Sequence, residues 1–174
     1  MKPRILGVDP GSLRTGWGLV EVEASRHTLV DCGVIRLASK GGLALRLESL
    51  RGEFETLVRK LAPTAAAVEA PFQGVNARAA LTLAHARGVL LAVLAGSGVT
   101  VAEYAPAAVK KAVTGNGRAE KLQVQAMVGR LLGLRGPMDQ PDLADALAVA
   151  LCHAATESFG AAVSRARPFP ESEC

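Results

Sequence analysis

Carboxylates are scarce in this chain and placed where they are costly. Of five aspartates, Asp9 ends the apolar run Ile5-Leu6-Gly7-Val8, while Asp139, Asp142 and Asp145 gather near the other end. Glu69 repeats the first pattern by closing Ala65-Ala66-Ala67-Val68. Asp142 and Asp145 are spaced i, i+3, so a helix puts both on one face. Their neighbours Leu143, Ala146, Leu147, Val149, Ala150 and Leu151 are apolar nearly all round, the mark of a buried helix. A carboxylate there needs a cation or a hydrogen-bonding partner to offset desolvation. Taken singly, Asp142 also suits the positive end of a helix and Asp9 a turn before Pro10. Taken together, four acids with only scattered arginines around them suit oxygen-ligated Mg²⁺ or Mn²⁺ better than zinc, which prefers His and Cys. A metal would also let neighbouring acids stay ionised together. His27, His85 and His153 fall on separate elements and read as structural, and no Ser, Cys or His constellation offers a rival nucleophile.

The elements that must deliver these acids follow from hydropathy patterning. A first strand ends at Asp9 and turns through Pro10-Gly11-Ser12; two further strands over 15–22 and 28–37 form a meander. Apolar residues at helical spacing predict a helix over 43–61, closed by Pro63. A strand over 65–69 follows, and the strand–helix–strand order places it parallel to and near the first. An Ala/Leu-rich helix over 76–95, interrupted at Gly88, a strand over 99–102 and helices over 106–113 and 119–132 come next. The last helix is expected from Pro141 to about Phe159, with Pro141 in its first turn. The chain reads as one α/β domain over 1–164, with a loose tail over 165–174.

Composition narrows the classes. With 174 residues the chain suits one domain and is short for two lobes around a cleft. It is 49% hydrophobic but 3% aromatic, so Ala, Leu and Val must build the core. No stretch approaches the ~18–20 uncharged apolar residues of a membrane helix, and the start of the chain is expected to reach Asp9 too soon for a signal-peptide core. Cys32, Cys152 and Cys174 are widely spaced, which suggests thiols in a reducing compartment and hence the cytoplasm. The net charge of +4 comes from 20 cations, 14 of them arginine, whose planar fork suits phosphate. Lys110-Lys111, and Arg118 with Lys121, flank the turn Gly115-Asn116-Gly117, where they could contact phosphates or simply form a solvated face.

Gly7-Val8-Asp9-Pro10-Gly11-Ser12, Thr15-Gly16-Trp17-Gly18, Val68-Glu69 and Asp142-Leu143-Ala144-Asp145-Ala146-Leu147-Ala148 occur in that order. With Ala86-Arg87-Gly88, Tyr104-Ala105-Pro106 and Ala119-Glu120-Lys121-Leu122-Gln123-Val124, the set resembles the RuvC family of Holliday-junction resolvases, nearly to His153. The resemblance implies a ribonuclease-H-like α/β fold, with a five-stranded mixed sheet flanked by helices on both faces. It implies a metal-dependent endonuclease that cuts four-way DNA junctions by paired nicks in recombination and repair, with two ions of Mg²⁺ or Mn²⁺ held by Asp9, Glu69, Asp142 and Asp145. It makes Phe72 a wedge between junction bases and Lys110 and Lys121 backbone-binding lysines. It further implies a homodimer through the helix after Glu69, and docking to a branch-migration helicase. Asp139 matches no family position. Competing expectations are a related nuclease cutting RNA–DNA hybrids, an actin- or sugar-kinase-like phosphotransferase suggested by Asp9-Pro10-Gly11 with Thr15-Gly16, and a non-catalytic DNA-binding module.

Overall fold

The computed structural model describes residues 2–24, 26–37, 42–70, 77–134 and 140–166. Strand β1 (Arg4–Asp9) pairs antiparallel with β2 (Arg14–Glu23), which pairs antiparallel with β3 (Arg26–Arg36). After α1 (Gly42–Leu61), β4 (Ala65–Glu69) joins the other side of β1 in parallel. Helix α2 (Ala77–Gly96) returns the chain to β5 (Thr100–Tyr104), parallel to β4. The mixed sheet therefore has the order β3-β2-β1-β4-β5; the β1–β3 meander and the parallel neighbour β4 are as expected, and the structure adds β5 at the edge. Helices α3 (Pro106–Thr114), α4 (Lys121–Leu131) and α5 (Pro141–Ala166) complete the chain.

Strand alternation divides the core between the two faces. Leu6, Val8, Trp17, Leu19, Ala66 and Val68 face α1 and α2, where Leu50, Phe54, Leu90 and Leu94 cover them. Ile5, Val20 and Ala67 face α5, which α3 and α4 cover through Val109, Val113, Val124 and Val128. The α5 side has a floor of minimal side chains. Gly7 is opposite Gly18 on β2 and Ala67 on β4, and Gly16 is opposite Asp9. A Cβ on Gly7 would stand 2.0 Å from the Ala146 carbonyl oxygen, and one on Gly16 would stand 2.2 Å from that of Asp142. These glycines let the α5 backbone rest directly on the sheet, and so fix the height of Asp142 and Asp145 above the end of β1.

Two expectations need correction. Helix α5 runs through Ala166, beyond Phe159 and beyond the proposed boundary at Ser164. Ala161 and Ala162 favour helix, and a lone Gly160 costs only about 1 kcal/mol, so the helix passes that glycine. Helix α2 is unbroken at Gly88; by length and composition alone it could pass for a membrane span, with mean hydropathy 1.6, but Arg87 interrupts its apolar run, so no uncharged stretch of that length occurs in it. Its role in this fold is different: Ala86, Leu90 and Leu94 are buried against the sheet, and mid-helix Arg87 donates to the Glu69 carbonyl and pairs with Glu103. Most of the remaining apolar surface of α2 is open, including Leu81 at 63% exposure.

Candidate active site

The carboxylate-bearing ends of β1 and β4 lie side by side, and the first two turns of α5 cross above them. Asp9 and Glu69 follow Gly7 and Ala67 by two residues, so alternation turns both toward the α5 face. Asp9 feeds a turn held by buried Thr15, whose hydroxyl donates to the Gly11 carbonyl at 3.1 Å. Glu69 is tied from three directions: strand β5 is opposite it through Tyr104, the Ala70 N–H donates to the Tyr104 carbonyl at 2.8 Å, and Arg87 reaches its own carbonyl.

Electrostatics show that the four acids share one neighbourhood. Burial pushes the Asp9 carboxyl up to about 7, reinforced in turn by Asp145, Glu69 and Asp142, with Lys121 opposing. Burial and then Asp145 also raise Glu69, against Lys121 and Lys110. Two of the acids are neutralised by protein cations. Lys121 donates to Asp145 Oδ2 at 2.6 Å, a contact that raises the lysine's own pKa. The Arg14 guanidinium stands 2.8 Å from Asp142 Oδ2, a buried oxygen with this charge contact but no well-aimed hydrogen bond. Among the described residues no three acids close around a common point, and Asp142 and Asp145 each face a different protein cation. The donor set is nevertheless all carboxylate, partly buried and over-charged at Asp9, which fits a hard divalent cation that prefers oxygen.

A cleft of about 210 Å³ opens beside the acids, lined by Glu69, Lys110, Lys121 and Asp145 over Val109, Val124 and Ala148. The loop between α3 and α4 sets both lysines. Gly115 closes α3 at φ 79°, the Asn116 side chain accepts from Arg118 N–H, and Glu120 with Gln123 forms a capping box that starts α4 at Lys121. Lys110 and Lys121 thus reach the cleft, whereas Arg118 is exposed on the loop and stands outside its lining. Phe72 and Asp139 lie outside the described residues.

The structure adds groups that sequence reasoning did not single out. Arg14 is one; its signal was strand parity, since it shares a face with Gly16. A second is the pair formed by the Tyr104 hydroxyl and His153 Nδ1 at 2.8 Å, which ties β5 to α5. His153 is buried, consistent with the structural role expected of it, while His85 is exposed.

Comparison with known proteins gives a consistent picture. Residues 5–153 match the family model described as Crossover junction endodeoxyribonuclease RuvC. Curated proteins of that name from Rubrobacter xylanophilus (44% identical, covering 96% of this chain and 93% of the relative) and Azorhizobium caulinodans (49%, covering 87% and 89%) align over most of their lengths. The structure of Thermus thermophilus RuvC in complex with a Holliday junction substrate superposes with TM-score 0.85 at 32% identity, covering 91% of this chain and 96% of that one. The yeast mitochondrial Holliday junction resolvase Ydc2, 17% identical with TM-score 0.68, shares the fold.

Proposed function

The chain belongs to the RuvC family of crossover junction endodeoxyribonucleases, and from that premise we propose how its residues resolve a four-way DNA junction. The protein is a metal-dependent nuclease of recombination and repair whose substrate is the Holliday junction. The observation that carries the site assignment is the over-charged acid cluster: Asp9, pushed up to about 7 by burial and three neighbouring acids, calls for a cation.

In this reading Asp9, Glu69, Asp142 and Asp145 hold two ions of Mg²⁺ or Mn²⁺. When bound, such ions supply Lewis acidity, activating a water and stabilising the leaving oxygen of the phosphodiester. The chain's own residues do the positioning. The glycine floor sets the height of α5, while Arg87 and Tyr104 hold the end of β4. Lys110 and Lys121 neutralise phosphate charge at the lip of the cleft. Arg118 adds positive charge farther along the same loop, and Phe72 serves as the wedge between bases. A DNA substrate and the spacing of the cysteines support a cytoplasmic setting, and the family resemblance supports contact with a branch-migration helicase.

A synthetic four-way junction with Mg²⁺ or Mn²⁺ should give two symmetric cuts, while linear duplex of the same sequence and an RNA–DNA hybrid remain largely intact. Equal cutting of the hybrid would move the assignment to another ribonuclease-H-like activity. Paired cuts require two sites related by the junction's near-twofold axis, which a C2 dimer provides. The exposed apolar side of α2, centred on Leu81, is the proposed interface. Leu81→Glu should therefore convert a dimer of about 36 kDa, twice the 18.0 kDa chain, to monomers in light scattering, and turn paired cuts into single nicks. An unchanged dimer would reject this interface.

A further inference from the structure

Arg14 and Arg36 have no part in the proposed mechanism, yet they are directly opposite each other on β2 and β3. Residues so paired share a face, and like charges there repel. Parity with Gly16 places that face on the α5 side, one step beyond the row that holds Gly16 and Asp9. Both arginines are exposed, with 47% of the Arg14 side chain open to solvent. Arg14 meets Asp142 at 2.8 Å, whereas Arg36 Nη2 donates at 3.3 Å to the neutral Gln140 amide just before α5. Neutralising Asp142 accounts for one of these cations and leaves the other without a charge partner among the described residues.

The placement suggests what the pair serves. Lys110 and Lys121 bound the acids on the α3–α4 side; Arg14 and Arg36 bound them on the β2–β3 side. Cations on both flanks of a phosphodiester-cutting centre suit a strand that enters over one and leaves over the other. Two adjacent guanidinium forks match successive phosphates better than they match a single carboxylate. Resting on the junction-nuclease reading above, we propose that Arg14 and Arg36 form a second phosphate-binding flank that grips the DNA backbone across the acids from Lys110 and Lys121. Arg14 has two partners in turn: it neutralises Asp142 in the free protein and moves to the backbone when Asp142 engages a cation.

Binding of a labelled junction to the Asp9→Asn protein over a salt series tests this without cleavage. Each lost phosphate contact should flatten the slope of log K against log salt by about 0.9. Arg36→Gln is expected to flatten it by about one, and Arg14→Gln with Arg36→Gln by about two, with roughly tenfold weaker binding. Arg59→Gln on α1, where Arg59 pairs with Glu55 on the other side of the sheet, should leave the slope unchanged. A folded double variant with the parent's slope and affinity would overturn the proposal. If the double variant melts early, Arg36→Gln alone decides, because among the described residues that exposed side chain's hydrogen bond is to an exposed amide. Failure of the Asp9→Asn parent to prefer junction over duplex would instead count against the nuclease reading. A second measurement needs no DNA. Arg14→Gln should bind Mn²⁺ severalfold more tightly by calorimetry, since a competitor for Asp142 is gone. Weaker Mn²⁺ binding would make Arg14 a mere support for Asp142 and reject its exchange between partners.

Discussion

Asp9→Asn is expected to abolish junction cleavage, by about a thousandfold or more, while making the metal-free protein more stable. The first effect follows from removing a charged oxygen ligand: losing several kcal/mol of transition-state stabilisation lowers a rate by at least three powers of ten. Junction binding should persist, because phosphate contacts come from Lys110, Lys121 and the arginines. The second effect follows from the sign of the pKa shift. Asp9 ionises at about 7 in the folded protein and near 3.8 in the unfolded chain. The folded state therefore holds the proton more tightly, and ionising Asp9 destabilises the fold. Its unfavourable contribution is absent below about pH 4, grows as pH rises, and is complete above about 7. Asparagine removes it. In chelator at pH 8 the variant should melt higher than the parent by an amount on the order of 1–3 kcal/mol, and the gain should shrink toward pH 5. Added Mn²⁺ should stabilise the parent far more than the variant, and increasingly so as pH rises, because it displaces the proton from Asp9. Differential scanning fluorimetry over pH and metal reads all three trends. Normal cleavage by Asp9→Asn would remove Asp9 from the metal site.

Gly7→Ala should be one of the more damaging single-methyl changes among the described residues. Its Cβ would fall 2.0 Å from the Ala146 carbonyl oxygen and within 3 Å of Ala150 N and Cβ. Those atoms belong to a buried helix backbone that cannot rotate away, so α5 must lift from the sheet. Overpacking of this kind costs about 3 kcal/mol or more, which for a chain of this size lowers Tm by roughly 10 °C. The same displacement carries Asp142 and Asp145 away from Asp9, so cleavage should fall even well below Tm. Gly52→Ala is the matched control: that helical glycine has nothing within 4 Å of a built Cβ. Alanine there should stabilise by about 0.5–1 kcal/mol. If the two substitutions melted alike, α5 would not be resting on the glycine floor.

Much of this architecture could be read locally. Apolar runs ending in Asp9 and Glu69 marked β1 and β4, and Pro141 marked the start of α5, because strand alternation, helical periodicity and breaker residues act over a few positions. The end of α5 was misjudged because Gly160 and the polar residues near it weaken a helix without stopping it. The break expected at Gly88 did not occur, because a lone glycine among Ala and Leu weakens a helix without ending it. Register across the sheet was not legible at all: Gly7 opposite Gly18 and Arg14 opposite Arg36 are pairings between segments, and neither segment carries the information alone.

The division of labour is clearest at the acids. Sequence alone determined which four carboxylates sit on apolar elements, and hence that they would be desolvated and in need of positive charge. Only the tertiary structure decided which cation each one meets: Lys121 for Asp145, Arg14 for Asp142, and neither in direct contact with Asp9. The physical reason is reach. A residue's preference for helix, strand or burial is set by itself and its chain neighbours. A charge contact at 2.8 Å between β2 and α5 depends instead on strand register and on how closely a glycine-floored sheet lets a helix approach.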